Sequence, residues 1–123
     1  MNKENIIRKY GSLELAYIGD AAFELAVRTH LLGDASNGDM HRRAKQFVSA
    51  HAQSEALAAL LPILSEDELA VVRRGRNAKS RSHPKNADLA EYHGATAFEA
   101  LWGYLYLAGD EERLAELFEK VTE

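Results

Sequence analysis

The sequence predicts an all-helical domain on three observations. Apolar residues recur three and four positions apart along nearly the whole chain, no stretch alternates strictly as a half-buried strand would, and helix-starting and helix-stopping residues stand between the apolar segments. The 123 residues are 46% hydrophobic and 28% charged, with two prolines, eight glycines and no repeat or linker-like tract. Such a chain should bury roughly two-thirds of its unfolded surface, so a single domain over residues 1–123 is expected. The lack of cysteine excludes disulfides, thiolate metal sites and cysteine nucleophiles, and agrees with a reducing compartment. The opening MNKENIIRKY is polar and no apolar run approaches a membrane span. A cytoplasmic protein with no membrane partner is expected.

The first strong helix is expected from about residue 13 to residue 32, ending at Gly33, where a residue without Cβ can take the left-handed conformation that stops a helix. DASNGD after it reads as a loop. Asp39 is read as the N-cap of a second helix, and a third runs from about residue 49 to residue 61, ended by Pro62. Ser65 with Glu68 three residues on forms a capping box, opening a fourth helix that carries Leu69, Val71 and Val72 into a basic run and frays at Gly75 or soon after. SRSHPKN reads as a loop, because serines cluster there and proline denies its predecessor the helical region. From about Asn86 a short helix leads to His93 and Gly94. A sixth spans residues 96 to 108, closed by Gly109, and Asp110 caps a seventh that runs toward Glu123.

Two helices carry acids where acids are costly. Between Leu13 and Val27 the first helix is apolar on nearly every side, so it should be buried on every side. In so small a domain this predicts that one face meets the protein's own core and another meets a second copy of the chain. Its interior charges are Glu14 near the start, then Asp20 and Glu24 one turn apart, with Arg28 a further turn on as the expected partner of Glu24. Asp20 follows Gly19, whose mid-helix position costs roughly 1 kcal/mol relative to alanine and implies that something needs room beside the helix. In ATAFEALWGYLYLAG the one charge is Glu99. An unpaired buried carboxylate must be protonated, salt-bridged or bound to a cation. A divalent ion shared by Asp20 and Glu99 is one solution; a separate Lys, Arg or backbone donor for each is the other.

The stretch VVRRGRNAKSRSHPKN gathers Arg73, Arg74, Arg76, Lys79, Arg81 and Lys85 with no acid among them, in a chain whose net charge is -4. It is either a solvated basic loop or a surface that meets phosphate. A second cluster, His41, Arg42, Arg43 and Lys45, allows the same two readings. The five histidines lack zinc-helix spacing, and no glycine-rich phosphate loop or serine-nucleophile motif is present.

LAYIGDAAFELAVR, RRGRNAKS with the following PKNAD, and TAFEALWGYLYL occur in an order and spacing that resembles Mini-ribonuclease III, the ribonuclease III homologue without a separate double-stranded-RNA-binding domain. Together the matches cover nearly the whole chain. The resemblance implies a ribonuclease III endonuclease-like helical fold, dimeric through the first motif's helix, that cuts double-stranded RNA with Mg2+ and matures the ends of 23S ribosomal RNA precursor. It also implies that Asp20 and Glu99 are the metal ligands and catalytic acids. The basic segment then becomes the RNA grip, through Arg73, Arg74, Arg76, Asn77, Lys79, Ser80, Arg81 and Lys85. Duplex RNA offers phosphates and 2′-hydroxyls with little readable base information, so recognition by shape and modest sequence preference are expected. A ribosomal protein that presents the RNA is a further implied partner.

The sequence departs from full-length ribonuclease III at Ala16, four residues before Asp20, and at Thr96, three before Glu99, where those enzymes carry further acids. Mini-ribonucleases share that reduction. Glu24, Asp88 or substrate phosphates are candidates to complete the ion's shell. The same departures keep open a catalytically silent RNA-binding or ribosome-associated module. A magnesium-dependent nucleotide pyrophosphohydrolase is disfavoured, since no paired Glu-x-x-Glu array stands near Asp20 or Glu99.

Overall fold

The computed structural model describes residues 1–33, 37–78 and 88–123, apart from the side chains of residues 37 and 38. Within them the chain forms α1 (Lys3–Lys9), α2 (Ser12–Leu31), α3 (Asn37–Val48), α4 (Ala50–Leu60), a 3-10 turn at Leu61–Ile63, α5 (Glu66–Arg76), α6 (Leu89–Leu107) and α7 (Glu111–Thr122), with no strand among the described residues. The expected all-helical class is therefore what the chain adopts. Its caps follow the sequence: Ser49 accepts from the Ala52 amide, Ser65 and Glu68 complete their reciprocal box, and Asp110 accepts from Arg113. Glu14 is also used locally, taking the Gly11 amide at 3.0 Å.

Helix α6 is apolar all round and buried almost throughout, from Gly94 to Leu105 apart from half-buried Glu99. Helices α2, α4 and α5 pack around it, and α1 and α7 close its remaining sides. Phe23 of α2, Phe98 and Trp102 of α6 and Phe118 of α7 form one aromatic cluster, with ring centroids 4.7 Å apart for Phe23 and Phe98 and 5.0 Å for Phe23 and Trp102. Edge-to-face pairs of this kind add to the area they bury.

Three sequence expectations need correction, and the SRSHPKN loop lies outside the described residues. Asp39, expected to cap the second helix, lies inside the first turn of α3, which begins at Asn37. The short helix ending at Gly94 and the helix starting at Thr96 are one continuous α6, because Gly94 is used for packing and not for a break: a Cβ there would lie 2.5 Å from the Ser54 hydroxyl of α4. Helix α1 was not expected at all. Asn2 caps it and only Ile6 is buried, so its amphipathic signal is weak. It is held from afar instead, by Lys3 on Asp110 at 2.7 Å and the Met1 amine on the Leu107 carbonyl at 2.9 Å. No helix among the described residues is long and apolar enough to cross a membrane.

The junction of α5 and α7 rests on a buried ion pair. Arg113 donates from Nε and Nη2 to both Glu68 oxygens, at 2.9 and 2.8 Å, and from Nη2 to the Ile63 carbonyl at 2.7 Å. Burial pushes the Glu68 carboxyl up, but Arg113 and Ser65 outweigh it and hold the group below its ordinary value. A carboxyl lowered on folding adds stability above its unfolded pKa and loses it as pH falls through the folded one. Arg113→Ala is expected to cost about 3 kcal/mol at neutral pH, because it strands Glu68. Urea denaturation checks this, and the deficit should shrink in acid.

Candidate active site

Helices α2 and α6 cross so closely that neither tolerates a side chain at the crossing. A Cβ on Gly19 would lie 1.8 Å from the Glu99 carbonyl oxygen, and one on Gly103 would lie 1.9 Å from the Leu15 carbonyl oxygen. The room that Gly19 was expected to make is thus filled by the backbone of α6. The residue after Gly19 is Asp20 and the residue across from it is Glu99, so the contact brings the two acids together from distant parts of the chain.

Their carboxyl groups are close enough to share a hydrogen bond. Asp20 is exposed and Glu99 half-buried. Burial pushes the Glu99 carboxyl up, and the Asp20 charge and the shared hydrogen bond push it further, to about 8, while the Gln53 amide pulls it down. No Lys, Arg or His among the described residues forms an ion pair with either acid. Two acids kept side by side without a cationic partner form an oxygen-only donor set, which fits a hard divalent cation. No third His, Cys, Asp or Glu joins them among the described residues.

The two accessory acids are occupied elsewhere. Glu24 accepts from Arg28 at 2.9 Å, as the helix-pair spacing implied. Asp88 is the N-cap of α6, taking the Ala90 and Glu91 amides at 2.8 and 3.2 Å, and stands about 16 Å along the helix from Glu99. Ala16 and Thr96, the positions that lack acids, are both buried, and the Thr96 hydroxyl donates to the Tyr92 carbonyl at 3.1 Å.

Residues 13–110 match the model of the Ribonuclease III domain. The chain belongs to the ribonuclease III family of endoribonucleases. It is 50% identical over 125 residues to the Mini-ribonuclease 3 of Brevibacillus brevis, which covers 98% of this chain and 93% of that protein. To the Mini-ribonuclease 3 of Symbiobacterium thermophilum it is 52% identical over 113 residues, 90% of this chain and 87% of that one. A crystal structure of a Fusobacterium nucleatum protein superposes with a TM-score of 0.85 at 32% identity, covering 92% of this chain and 93% of the other.

In this ribonuclease III domain the basic segment is described only in part. Arg73, Arg74 and Arg76 occupy the exposed last turn of α5 and Asn77 caps it, whereas Lys79, Ser80, Arg81 and Lys85 lie outside the described residues. Arg74 is turned toward α1, with its guanidinium 3.5 Å from the Ile7 carbonyl and 3.4 Å from that of Tyr10. Arg73 and Arg76 form no ion pair among the described residues. Gly75 between them lies against Ala97, two residues from Glu99 along α6. In the second basic cluster Arg42 pairs with Asp39.

The face of α2 turned away from α6 of this ribonuclease III domain is uncovered. Tyr17 is 83%, Leu25 66% and Leu32 67% exposed, and Tyr106 of α6 is 50% exposed. An apolar groove of about 580 Å3 runs beside Leu25 between α2, α6 and α7, floored by Trp102 and Phe118.

One site residue carried no sequence signal. Gln53 of α4 is 2% exposed and its amide bears on Glu99. A single glutamine in AHAQSEALAAL has no pattern that distinguishes it from a solvated one.

Proposed function

We propose that this endoribonuclease cuts double-stranded RNA with Mg2+ held by Asp20 and Glu99, that it works as a homodimer through the outer face of α2, and that the ends of 23S ribosomal RNA precursor are its natural target. The observation that carries the reading is the carboxyl pair at the α2–α6 crossing, which has no cationic side-chain partner among the described residues. When bound, the ion supplies charge stabilisation on the scissile phosphate and an activated water. The protein's part is to hold two oxygen donors on a crossing that cannot shift. Glu99 must release its proton to take up this role, and the exposed Asp20 keeps the pair open to a substrate of RNA's size. With Ala16 and Thr96 contributing no acid, Asp20 and Glu99 would hold the ion and would leave positions for water and phosphate oxygens, which Mg2+ accepts readily.

Arg73 and Arg76, with Lys79, Arg81 and Lys85 following in the sequence, supply the cations that an acidic domain needs to hold a polyanion. The segment contains no Phe, Tyr or Trp, which favours duplex over single-stranded RNA. The uncovered apolar face of α2 supports the dimer, and the resemblance to Mini-ribonuclease III supports the ribosomal precursor, one shared with a presenting ribosomal protein.

The test is duplex RNA incubated with the purified protein. Cutting should require Mg2+, stop with EDTA and resume on adding Mg2+ back. Binding affinity should fall with salt at a log–log slope of roughly -3 to -4 if about four cations meet phosphate. Binding without cutting would favour a silent module, and a slope near zero would remove the basic segment from the interface. Sedimentation as a stable monomer at micromolar concentration would contradict the dimer.

A further inference from the structure

Gln53 is buried among apolar neighbours of α4, Leu57 and Leu60, yet its side-chain nitrogen makes no hydrogen bond of normal geometry among the described residues. A buried donor left unpaired is destabilising. What the amide faces is Glu99, closely enough to favour that carboxyl's charged form, though the contact does not close into a full hydrogen bond. The helix that carries Gln53 is fixed against α6, since the adjacent Ser54 is pressed onto Gly94 with no space for a Cβ between them.

We propose that Gln53 is a positioning residue of the candidate site, whose amide N–H holds the Glu99 carboxylate in the orientation that, together with Asp20, receives Mg2+. This deepens the magnesium reading above and rests on it. The buried Gln53 donor lacks a full partner within its own helix. A bond from the Gln53 amide to a Glu99 carboxyl oxygen would fix that side chain's rotamer and satisfy the orphan donor at the same time. Partners of this outer kind are worth about 10- to 100-fold in metal affinity or activity.

Gln53→Met keeps the length and removes the donor; Gln53→Leu is a second variant that does the same with a different shape. Both are compared with the wild type and with Asp20→Asn, by calorimetric titration of the protein alone with Mg2+, by urea denaturation in EDTA and by cleavage kinetics on duplex RNA. Mg2+ affinity is expected to fall about 10- to 100-fold in both Gln53 variants. Metal-free stability should stay unchanged or rise, and kcat should fall with KM for the duplex unaltered. Mg2+ binding equal to wild type in either variant overturns the proposal. So does a loss of metal-free stability in both, because Gln53 would then be a packing residue. If Asp20→Asn abolishes Mg2+ binding while the Gln53 variants keep it, the Gln53 role alone fails. If Asp20→Asn binds as the wild type does, the magnesium reading fails and this role falls with it.

Discussion

Asp20→Asn is expected to slow duplex RNA cleavage by about a hundred- to a thousand-fold or more, and at the same time to make the metal-free protein more stable. The first effect follows if the carboxylate helps hold an ion that contributes several kcal/mol of charge stabilisation, since each 1.36 kcal/mol is about tenfold in rate. The second follows from the pair itself. Glu99 is raised to about 8, by burial first and by Asp20 next. Between its ordinary value of 4.5 and about 8, the folded chain keeps a proton that the unfolded chain has lost. Stability of the metal-free protein should therefore be greatest below about pH 4.5 with respect to this group, and fall as pH rises toward 8. Asn at position 20 removes the like charge and leaves burial, so the fall should be shallower and the melting temperature at pH 8 higher by about 4 °C for each kcal/mol regained. Thermal melts in EDTA at pH 5 and pH 8, beside cleavage assays in Mg2+, read both effects. A variant that cuts RNA as fast as the wild type would remove Asp20 from the reaction.

Gly19→Ala should be as damaging although it adds only one uncharged methyl group. In an open helix the change would gain about 1 kcal/mol of helix propensity. Here the new carbon would fall 1.8 Å from the Glu99 carbonyl and 2.7 Å from the Gly103 nitrogen, both backbone atoms that cannot rotate aside. Overpacking ordinarily costs about 1–3 kcal/mol, and backbone on both sides puts this case at the upper end, about 3 kcal/mol net of the propensity gain. Helices that part to admit the methyl must also part Asp20 from Glu99, so cleavage should fall more steeply than the folded fraction. Urea denaturation gives the first quantity and activity per folded molecule the second. An alanine variant as stable as the wild type would show that the crossing is looser than described.

The features legible in the sequence were those written into one local stretch. The length of α2, the Ser65–Glu68 box and the Asp110 cap need only neighbours to form. Asp20 and Glu99 stood out because a charge inside an apolar helix must be compensated, and the α2–α6 contact shows the two acids meeting. What was missed depends on partners remote in sequence. Gly94 resembles a helix break until Ser54 of α4 is set against it. Helix α1 has one buried residue, and the Arg74 guanidinium near its last carbonyls comes from more than sixty positions away. The same distance explains why the sequence gives no sign that Arg74 lies beside α1. Gln53 gives no warning because its significance lies wholly in what α6 places across from it.

The placement of α6 also bears on how the molecule comes into being. It is the helix on which α2, α4 and α5 all lean, yet it begins only at Leu89. During synthesis the earlier helices emerge with sticky flanks and no common support, so cooperative assembly has to wait until α6 has been made. Until then the nascent polypeptide is an open string of amphipathic segments, of the kind that chaperones shield.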